Sequence, residues 1–219
     1  MTLPLYGVYG ASGCGRSIMP MAREQLHPEG LSADRLVFID DQPHEGLLNG
    51  HAVLSWQKFL DVPASSRHVV VAIASSLVRE SLSHRLADAG VAHWSVIANN
   101  VVIMDDVTVG EGAALSPFVT LTSNIRIGRH FHANLYSYVE HDCVVGDFVT
   151  FAPGVKCNGN VVIEDHAYIG TGAIIKQGRP GAPLIIGRGA VVGMGAVVTK
   201  NVPPGVTVVG NPARPLIKS

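Results

Sequence analysis

Charged side chains are scarce in this 219-residue chain: Asp, Glu, Lys and Arg make up 15% of it, and the formal net charge is −1. This near-neutral balance gives no electrostatic attraction to nucleic acid or to an anionic membrane, so we expect neither as a partner. No apolar run approaches the roughly 20 residues of a membrane-spanning helix. Residues 1–6 lack the basic stretch that opens a signal peptide, so the sequence predicts a cytoplasmic protein.

Cysteine is almost absent as well, with three residues whose spacing shows no paired pattern, Cys14, Cys143 and Cys157. A disulfide framework is therefore not expected, and free thiols in a reducing compartment are. By contrast, hydrophobic residues make up 47% of the chain and 24 residues are glycine. That combination favours a fold with many small core positions and many tight corners.

A six-residue repeat runs from residue 97 to residue 198. Every sixth position from Ile103 to Ile175 is apolar, and the register resumes at Ile186 after a break at 176–184. A second, smaller set of mostly apolar residues lies four positions on, starting at Val107. This pattern is the signature of a parallel β-helix, in which short strands stack coil on coil, and it predicts such a domain over 99–219. Cys143 and Cys157 fall on the two inward sets, so we expect both thiols to be buried.

Residues 1–98 alternate predicted strands and helices instead. Strands are predicted at 5–9, 36–39, 68–74 and 92–97, and helices from the glycine turn to about 26, at 55–60 and at 77–89. This alternation indicates a small α/β domain with a parallel sheet of Rossmann type.

A glycine turn, Gly10-Ala11-Ser12-Gly13-Cys14-Gly15, follows the first strand and opens a helix. Such a turn presents backbone N–H groups and a helix N-terminus to a phosphate. Asp40 and Asp41, at the end of the second strand, are candidates for contacting a ribose or a base. The turn departs from the usual G-x-G-x-x-G spacing, so a tight structural turn is an equal alternative. Nothing else in the sequence indicates hydride transfer.

The β-helix carries a second candidate site at His141. In the six-residue frame its side chain points outward, and Gly159 holds the same position eighteen residues later. If three repeats make one coil, the histidine stacks on a residue without a side chain, which suits an acyl-transfer site with a base beside a backbone N–H. Glu140 or Asp142 would orient the ring. The alternative is an ordinary surface histidine.

Other features are weaker candidates. His130 and His132 lie at different positions of the repeat and need not converge, so we expect no metal site. The break at 176–184 is rich in Gly and Pro and carries two cations, which fits either a ligand-contacting loop or a surface loop without a role.

The end of the chain carries a family resemblance. Residues 192–205 and 209–213 resemble the closing signature of hexapeptide acyltransferases that use acetyl-CoA. Together with Tyr9–Gly13, Asp40-Asp41 and Glu140-His141-Asp142, they resemble a narrower group, the sialic-acid-biosynthesis-type acetyltransferases. That group includes the N-acetyltransferases of nucleotide-linked 4-amino-sugars of the perosamine and bacillosamine pathways, and overall likeness favours the GDP-perosamine branch over UDP-linked sugars.

The resemblance implies a homotrimer of left-handed β-helices. It also implies acetyl-CoA-dependent N-acetylation of the C4 amine of a nucleotide-linked 4-amino-4,6-dideoxy sugar for surface polysaccharide. It makes His141 the general base, Asp142 the residue that raises its basicity, and Asn134 a contact of the sugar amine. The acetyl-CoA positions are Gly159, Thr150, Thr171 and Met194; the nucleotide-sugar positions are Gly10, Ser12, Gly13, Cys14, Asp40 and Asp41. Cys14 and Thr150 depart from the histidines expected there. O-acetylation of a sialic-acid-like sugar and non-enzymatic nucleotide-sugar binding are the alternatives.

Overall fold

A computed structural model of the chain describes residues 2–30, 32–43 and 45–216. It divides into two compact units, Met1–Asn99 and Asn100–Ser219. The first unit is an α/β structure and the second is built from short strands, with no α-helix among its described residues.

The first unit contains a six-stranded sheet that is parallel apart from one hairpin. Its elements are β1 (Leu5–Tyr9), α1 (Gly13–Leu26), 3-10 turns at His27–Glu29 and Ala33–Arg35, β2 (Leu36–Ile39), β3 (Leu47–Leu48), β4 (His51–Leu54), α2 (Trp56–Asp61), β5 (Arg67–Val71), α3 (Ser76–Asp88) and β6 (Ala92–His93), followed by a short strand, β7 (Val96–Ile97). The sheet order is β3-β4-β2-β1-β5-β6. Its middle strands are buried along their length, as expected for parallel strands covered on both faces.

The predicted strands at 5–9 and 36–39 and all three helices are confirmed, and the parallel sheet with them. The strand predicted over 68–74 ends at Val71, and the one predicted over 92–97 is two short strands. The hairpin of β3 and β4 is missing from the sequence prediction. Its turn, Asn49-Gly50, has positive φ at both residues and is a strong hairpin signal that alternating hydrophobicity alone does not reveal.

The second unit stacks short strands in three parallel sheets, the arrangement of a parallel β-helix. The first face holds Ala114–Leu115, His132–Ala133, Thr150–Phe151, Tyr168–Ile169, Val191–Val192 and Thr207–Val209, with Arg214–Pro215 added antiparallel at its end; the second face holds Val102–Ile103, Thr120–Leu121, Tyr138–Val139, Lys156–Cys157, Ile174–Ile175 and Val197–Val198; the third face holds Val107–Val109, Ile125–Ile127, Val144–Val145, Val161–Ile163 and Leu184–Ile186. Thr120 pairs with Tyr138 and Tyr138 with Lys156, so one coil is eighteen residues, or three repeats.

The core of the second unit is the stack of inward side chains. Leu121, Cys157 and Ile175 are fully buried, and so is Cys143 apart from 1% of its surface. The prediction that both thiols are buried is confirmed. Among the apolar repeat positions from 103 to 198, Val109 is only half-buried and Ile103 is 42% exposed. Ile103 lies in the terminal strand of the second face and has a stacked strand on one side only.

Each coil turns through three corners. We call them the first corner, after the first face (134–137 and its equivalents), the second corner, after the second face (140–143 and its equivalents), and the third corner, after the third face (128–131 and its equivalents). Most corners contain one residue with positive φ, a conformation that residues other than Gly, Asn and Asp adopt at a cost. The second corner meets this demand with Asp and Asn, in the column Asp106, Asn124, Asp142 and Asn160.

The break in the repeat at 176–184 is a small exposed loop. Arg179 and Ala182 form an antiparallel bridge within it. The loop leaves and rejoins the coil beside one corner, because the Gly178 N–H donates to the Gly159 carbonyl at 2.9 Å and the Leu184 N–H donates to the Asn160 carbonyl at 3.1 Å. It therefore interrupts the sequence register and leaves the stacking intact.

Within the described residues, no helix combines the length and apolar character needed to cross a membrane.

Val197 and Val198 test the inward assignment of the repeat. Val198 is buried in the coil interior, and Val197 on the same strand is partly exposed. Truncating the packed side chain leaves a cavity, so Val198→Ala should lower the free energy of unfolding by about 2 kcal/mol and Val197→Ala by less than ~1 kcal/mol. Denaturant titration of both variants measures the two values, and equal losses would contradict the assignment.

Candidate active site

His141 and Asp142 form a hydrogen-bonded pair on the second corner. The ring atom Nδ1 lies 2.8 Å from Asp142 Oδ2, and the two side chains are 42% and 48% exposed. The hydrogen bond to Asp142 raises the pKa of His141, and the negative charges of Asp142 and Glu140 act in the same direction. The same bond lowers the pKa of Asp142. With the Nδ1 proton directed at the carboxylate, Nε2 of the neutral ring is the proton acceptor.

Gly159 leaves room for that ring. A Cβ atom built on Gly159 would come within 2.6 Å of His141 Cε1 and Nε2, which is closer than atoms pack. The eighteen-residue coil thus brings together the two residues that the repeat predicts to be stacked. Of the two carboxylates beside the histidine, Asp142 holds the ring.

The peptide chain around Gly159 is fixed by its neighbours. Tyr138 donates its hydroxyl to Asn158 Oδ1 at 3.0 Å, and Asn158 Nδ2 donates to the Ile175 carbonyl at 2.8 Å. Neither residue was singled out from the sequence, since only their place beside the glycine in the folded coil marks them. Together with the loop contact to the Gly159 carbonyl, these bonds tie the chain on both sides of Gly159 to its neighbours.

Asn134 and the residues predicted to contact acetyl-CoA lie elsewhere on the coil. Asn134, Thr171 and Met194 all lie on the first corner, where Met194 is 81% exposed and the Asn134 amide donates to the Phe151 carbonyl at 2.9 Å. Thr150 is buried in a strand of the first face. One chain therefore places this set and His141 on different corners.

In the first unit, the structure brings Asp40 to the glycine turn. Asp40 Oδ2 accepts a hydrogen bond from the Ala11 N–H at 3.1 Å, and Oδ1 accepts one from the Gln42 N–H at 3.0 Å. Gly10 has a φ of 116° and lies against the Ala72 carbonyl, where a side chain would collide. The turn therefore depends on a glycine here and on the Asp40 carboxylate.

Asp41 belongs to a polar cluster that the sequence analysis did not include. Its Oδ1 accepts hydrogen bonds from the Tyr9 hydroxyl at 2.7 Å and from Arg85 Nη1 at 3.0 Å. Burial raises the pKa of Tyr9, and the bond to Asp41 raises it further. Trp56 stacks on the Tyr9 ring with centroids 5.7 Å apart.

The start of α1 carries Ser12, Gly13 and Cys14. Ser12 is the N-cap residue and makes no side-chain capping bond, and a Cβ on Gly13 would meet open space. Burial raises the pKa of the Cys14 thiol, while the positive charge of Arg79 lowers it. Arg79 is fully buried, donates to the Ile73 carbonyl at 2.8 Å, and has its pKa lowered by burial to about 10. This buried cation beside the turn is a second feature that the sequence alone did not reveal.

The two histidines considered for a metal site lie beside the inward positions of the repeat, Phe131 and Ala133. His130 and His132 are both buried, and the His130 ring stacks on Phe148, which in turn stacks on His166, with centroids 5.1 and 5.3 Å apart. Across the ranges that the structure describes, no group of three or more His, Cys, Asp or Glu side chains is placed to hold a metal ion.

Known proteins resemble the chain over nearly its full length. The sequence matches no model of a known protein family. It is 52% identical over 215 residues to the GDP-perosamine N-acetyltransferase of Escherichia coli O157:H7, across 98% of this chain and 97% of that protein. The solved structure of WeeI from Acinetobacter baumannii AYE is 60% identical with a TM-score of 0.95, across 97% of this chain and 100% of that one. The acetyltransferase domain of PglB from Neisseria gonorrhoeae FA1090, in complex with acetyl coenzyme A, is 26% identical with a TM-score of 0.84, across 99% of this chain and 100% of that one.

The fold and these relatives define the class of the protein as an acetyltransferase built on stacked parallel coils. Within that class, the chain belongs to the family of GDP-perosamine N-acetyltransferase, because identity and coverage extend over both units. The family resemblance drawn from the closing motif, the glycine turn and Glu140-His141-Asp142 is confirmed.

The His141–Asp142 bond predicts the effect of removing one charge. Asp142→Asn removes the negative partner of the imidazolium, so the pKa of His141 should fall from its raised value towards that of an ordinary histidine. Titration of the histidine ring resonances by NMR measures it, with His141→Asn to assign the signal. Asp105→Asn, at an exposed turn, is the matched control and should leave the value in place. An unchanged His141 pKa in Asp142→Asn would mean that the pair does not persist in solution.

Proposed function

We propose that the chain transfers the acetyl group of acetyl-CoA to the C4 amine of a nucleotide-linked 4-amino-4,6-dideoxy sugar, with GDP-perosamine the favoured acceptor, in the synthesis of a surface polysaccharide. The observation that carries the proposal is an outward histidine, oriented by a carboxylate, above a residue without a side chain. The 52% identical relative is named for this acceptor, and the neighbour at 26% identity was solved with acetyl coenzyme A.

The proposed reaction uses His141 as general base. The amine nitrogen attacks the thioester carbonyl carbon, and His141 Nε2 takes a proton from that nitrogen as the N–C bond forms. The oxyanion of the tetrahedral intermediate accepts a hydrogen bond from the Gly159 N–H. The C–S bond then breaks, and the leaving thiolate of CoA takes up the proton. No acyl-enzyme is needed, and the buried Cys143 and Cys157 are not nucleophiles.

In this proposal, acetyl-CoA lies along the first corner. Thr171 and Met194 line its groove, Thr150 packs at the groove's base, and Asn134 contacts the sugar amine through the amide oxygen, since its Nδ2 is engaged by the Phe151 carbonyl. The nucleotide sugar is assigned to the first unit, which we propose to be Rossmann-like. The residues proposed to contact the nucleotide sugar are Gly10, Ser12, Gly13, Cys14, Asp40 and Asp41. The protein is proposed to act in the cytoplasm.

The separation of the corners argues for a shared site. His141 and Gly159 lie on the second corner, whereas Asn134, Thr171 and Met194 lie on the first. One complete site therefore needs two chains, and a closed ring gives every chain both roles. We propose a homotrimer of left-handed β-helices, with each active site between neighbouring subunits.

The molar mass of the protein in solution tests the proposed trimer. Light scattering at micromolar concentration should give three times the 23.1 kDa of one chain. A monomer with full acetyltransferase activity would contradict the shared site, because a single chain does not bring the two corners together.

Removing the base tests the reaction. His141→Asn should lower kcat by about 10² to 10⁴, the usual contribution of a positioned base, with the Kd values of both substrates and the oligomer preserved. His166→Asn is the matched control, because Asn suits the positive φ of 61° at that position, and it should keep most of the activity. Steady-state kinetics with GDP-perosamine and acetyl-CoA give both values. Wild-type kinetics in the His141→Asn variant would refute the assignment.

The acceptor is tested separately. Initial rates with GDP-perosamine, a UDP-linked 4-amino-sugar and a sialic-acid-like sugar hydroxyl distinguish N-acetylation from O-acetylation on the same scaffold. We expect the amine acceptors to react and GDP-perosamine to give the highest kcat/KM.

A further inference from the structure

Asn124 lies on the second corner one coil before Asp142. Its Nδ2 donates to Asp142 Oδ1 at 3.3 Å, while the other carboxylate oxygen, Oδ2, holds His141 Nδ1 at 2.8 Å. The two oxygens of one carboxylate are thus divided between an amide and the imidazole. The stacking that places Asn124 there is also tied by the backbone, since the Asp142 N–H donates to the Ser123 carbonyl at 3.2 Å.

We propose that Asn124 is a positioning residue for His141, acting through Asp142. Its amide fixes the rotation of the carboxylate, so that Oδ2 stays on Nδ1 and the ring keeps Nε2 directed away as the proton acceptor. This inference rests on the proposed role of His141 as the base. It assigns a function to a residue outside the Glu140-His141-Asp142 motif, which lies eighteen positions before Asp142 in sequence and contacts it from the neighbouring coil.

The chemistry of the column explains why the residue is Asn. The backbone at 124 has a φ of 59°, which favours Asn, Asp or Gly. Of these three, only Asn has a hydrogen-bond donor to give to a carboxylate. An Asp would set two negative charges against each other, and a Gly would leave Oδ1 to water. One coil earlier, Asp106 faces Arg126, at 2.9 and 3.0 Å, so that position suits an acceptor instead.

The charges around the ring define what a change at 124 can do. Asp142, Glu140 and Cys143 are the groups that act on His141 electrostatically. Asn124 adds no charge to that set. It acts on the orientation of Asp142, and it also lowers the pKa of that carboxyl through its hydrogen bond.

Two substitutions at the same position give opposite expectations. Asn124→Gly keeps the backbone conformation and releases the carboxylate, so the pKa of His141 should fall and the acid limb of kcat/KM should move to lower pH. kcat should fall about threefold to tenfold, the size of one hydrogen bond, with the KM of both substrates unchanged. Asn124→Asp adds a negative charge beside the pair, so the pKa of His141 and the acid limb should move to higher pH. Loss of stability alone shifts neither.

Controls separate positioning from general damage. Asn49→Gly makes the same change at another positive φ, 50°, in the Asn49-Gly50 turn, and should leave the pKa of His141 and kcat in place. In the Asp142→Asn background, Asn124→Gly should lower kcat by less than twofold, because the carboxylate through which it acts is gone. An equal loss in both backgrounds, or a His141 pKa that does not move in either Asn124 variant, would overturn the inference. The NMR titration of the ring needs no substrate, so it judges Asn124 even if the wild-type protein acetylates no amino-sugar and the proposed function fails.

Discussion

The backbone ladder between successive coils is the constraint on which the site depends. Every eighteen residues the chain comes back to the same face one coil further on, and backbone N–H groups donate to carbonyls of the neighbouring coils. Glu140 donates to Cys157 of the following coil at 2.9 Å, and Asn160 donates to His141 of the preceding coil at 3.0 Å. Parallel stacking of this kind holds neighbouring coils at a fixed spacing of about 4.8 Å. Asn124, the His141–Asp142 pair and Gly159 lie on three successive coils at the same corner. The register of the backbone ladder therefore decides which of these side chains are neighbours.

The sequence predicted most of the β-helix because the same apolar position recurs in every repeat, so many residues support one assignment. Thirteen apolar positions in one register fix which side chains point inward, and His141 above Gly159 follows from counting eighteen. The first unit has no such redundancy. The hairpin at Asn49-Gly50 was missed because it is signalled by two residues only. Strand β5 ends at Val71, and beyond it the Ile73 carbonyl accepts a hydrogen bond from Arg79 instead of continuing the strand. The contact between the buried Arg79 and the Ile73 carbonyl could not be predicted from the spacing of residues in the sequence, because it forms only in the folded unit.

The carboxylates of the first unit show why residue type alone does not define a ligand site. Asp40 was singled out as a contact for a ribose or base, and in the folded unit both of its oxygens accept backbone N–H groups of the chain itself. Asp41 is engaged by Tyr9 and Arg85. In the proposed nucleotide-sugar site these carboxylates are already engaged by the protein, and Tyr9, Arg85 and Trp56 lie beside them. The sequence pointed to Asp40 and Asp41 at this edge of the sheet and did not indicate that Arg85 and Trp56 lie beside them.

The loop at 176–184 has a consequence for how chains of this fold can differ in length. If six residues were gained or lost between His141 and Gly159, every later residue would move to a different face of the coil. His141 would then no longer be stacked on Gly159. A whole coil of eighteen preserves the faces, as does a segment whose two ends return to neighbouring peptides. Gly178 and Leu184 return to the carbonyls of Gly159 and Asn160, so the residues between them can change in number without shifting the coils on either side. In this scaffold the chain can therefore change in length within such a side excursion, while stacked partners with no excursion between them stay eighteen residues apart.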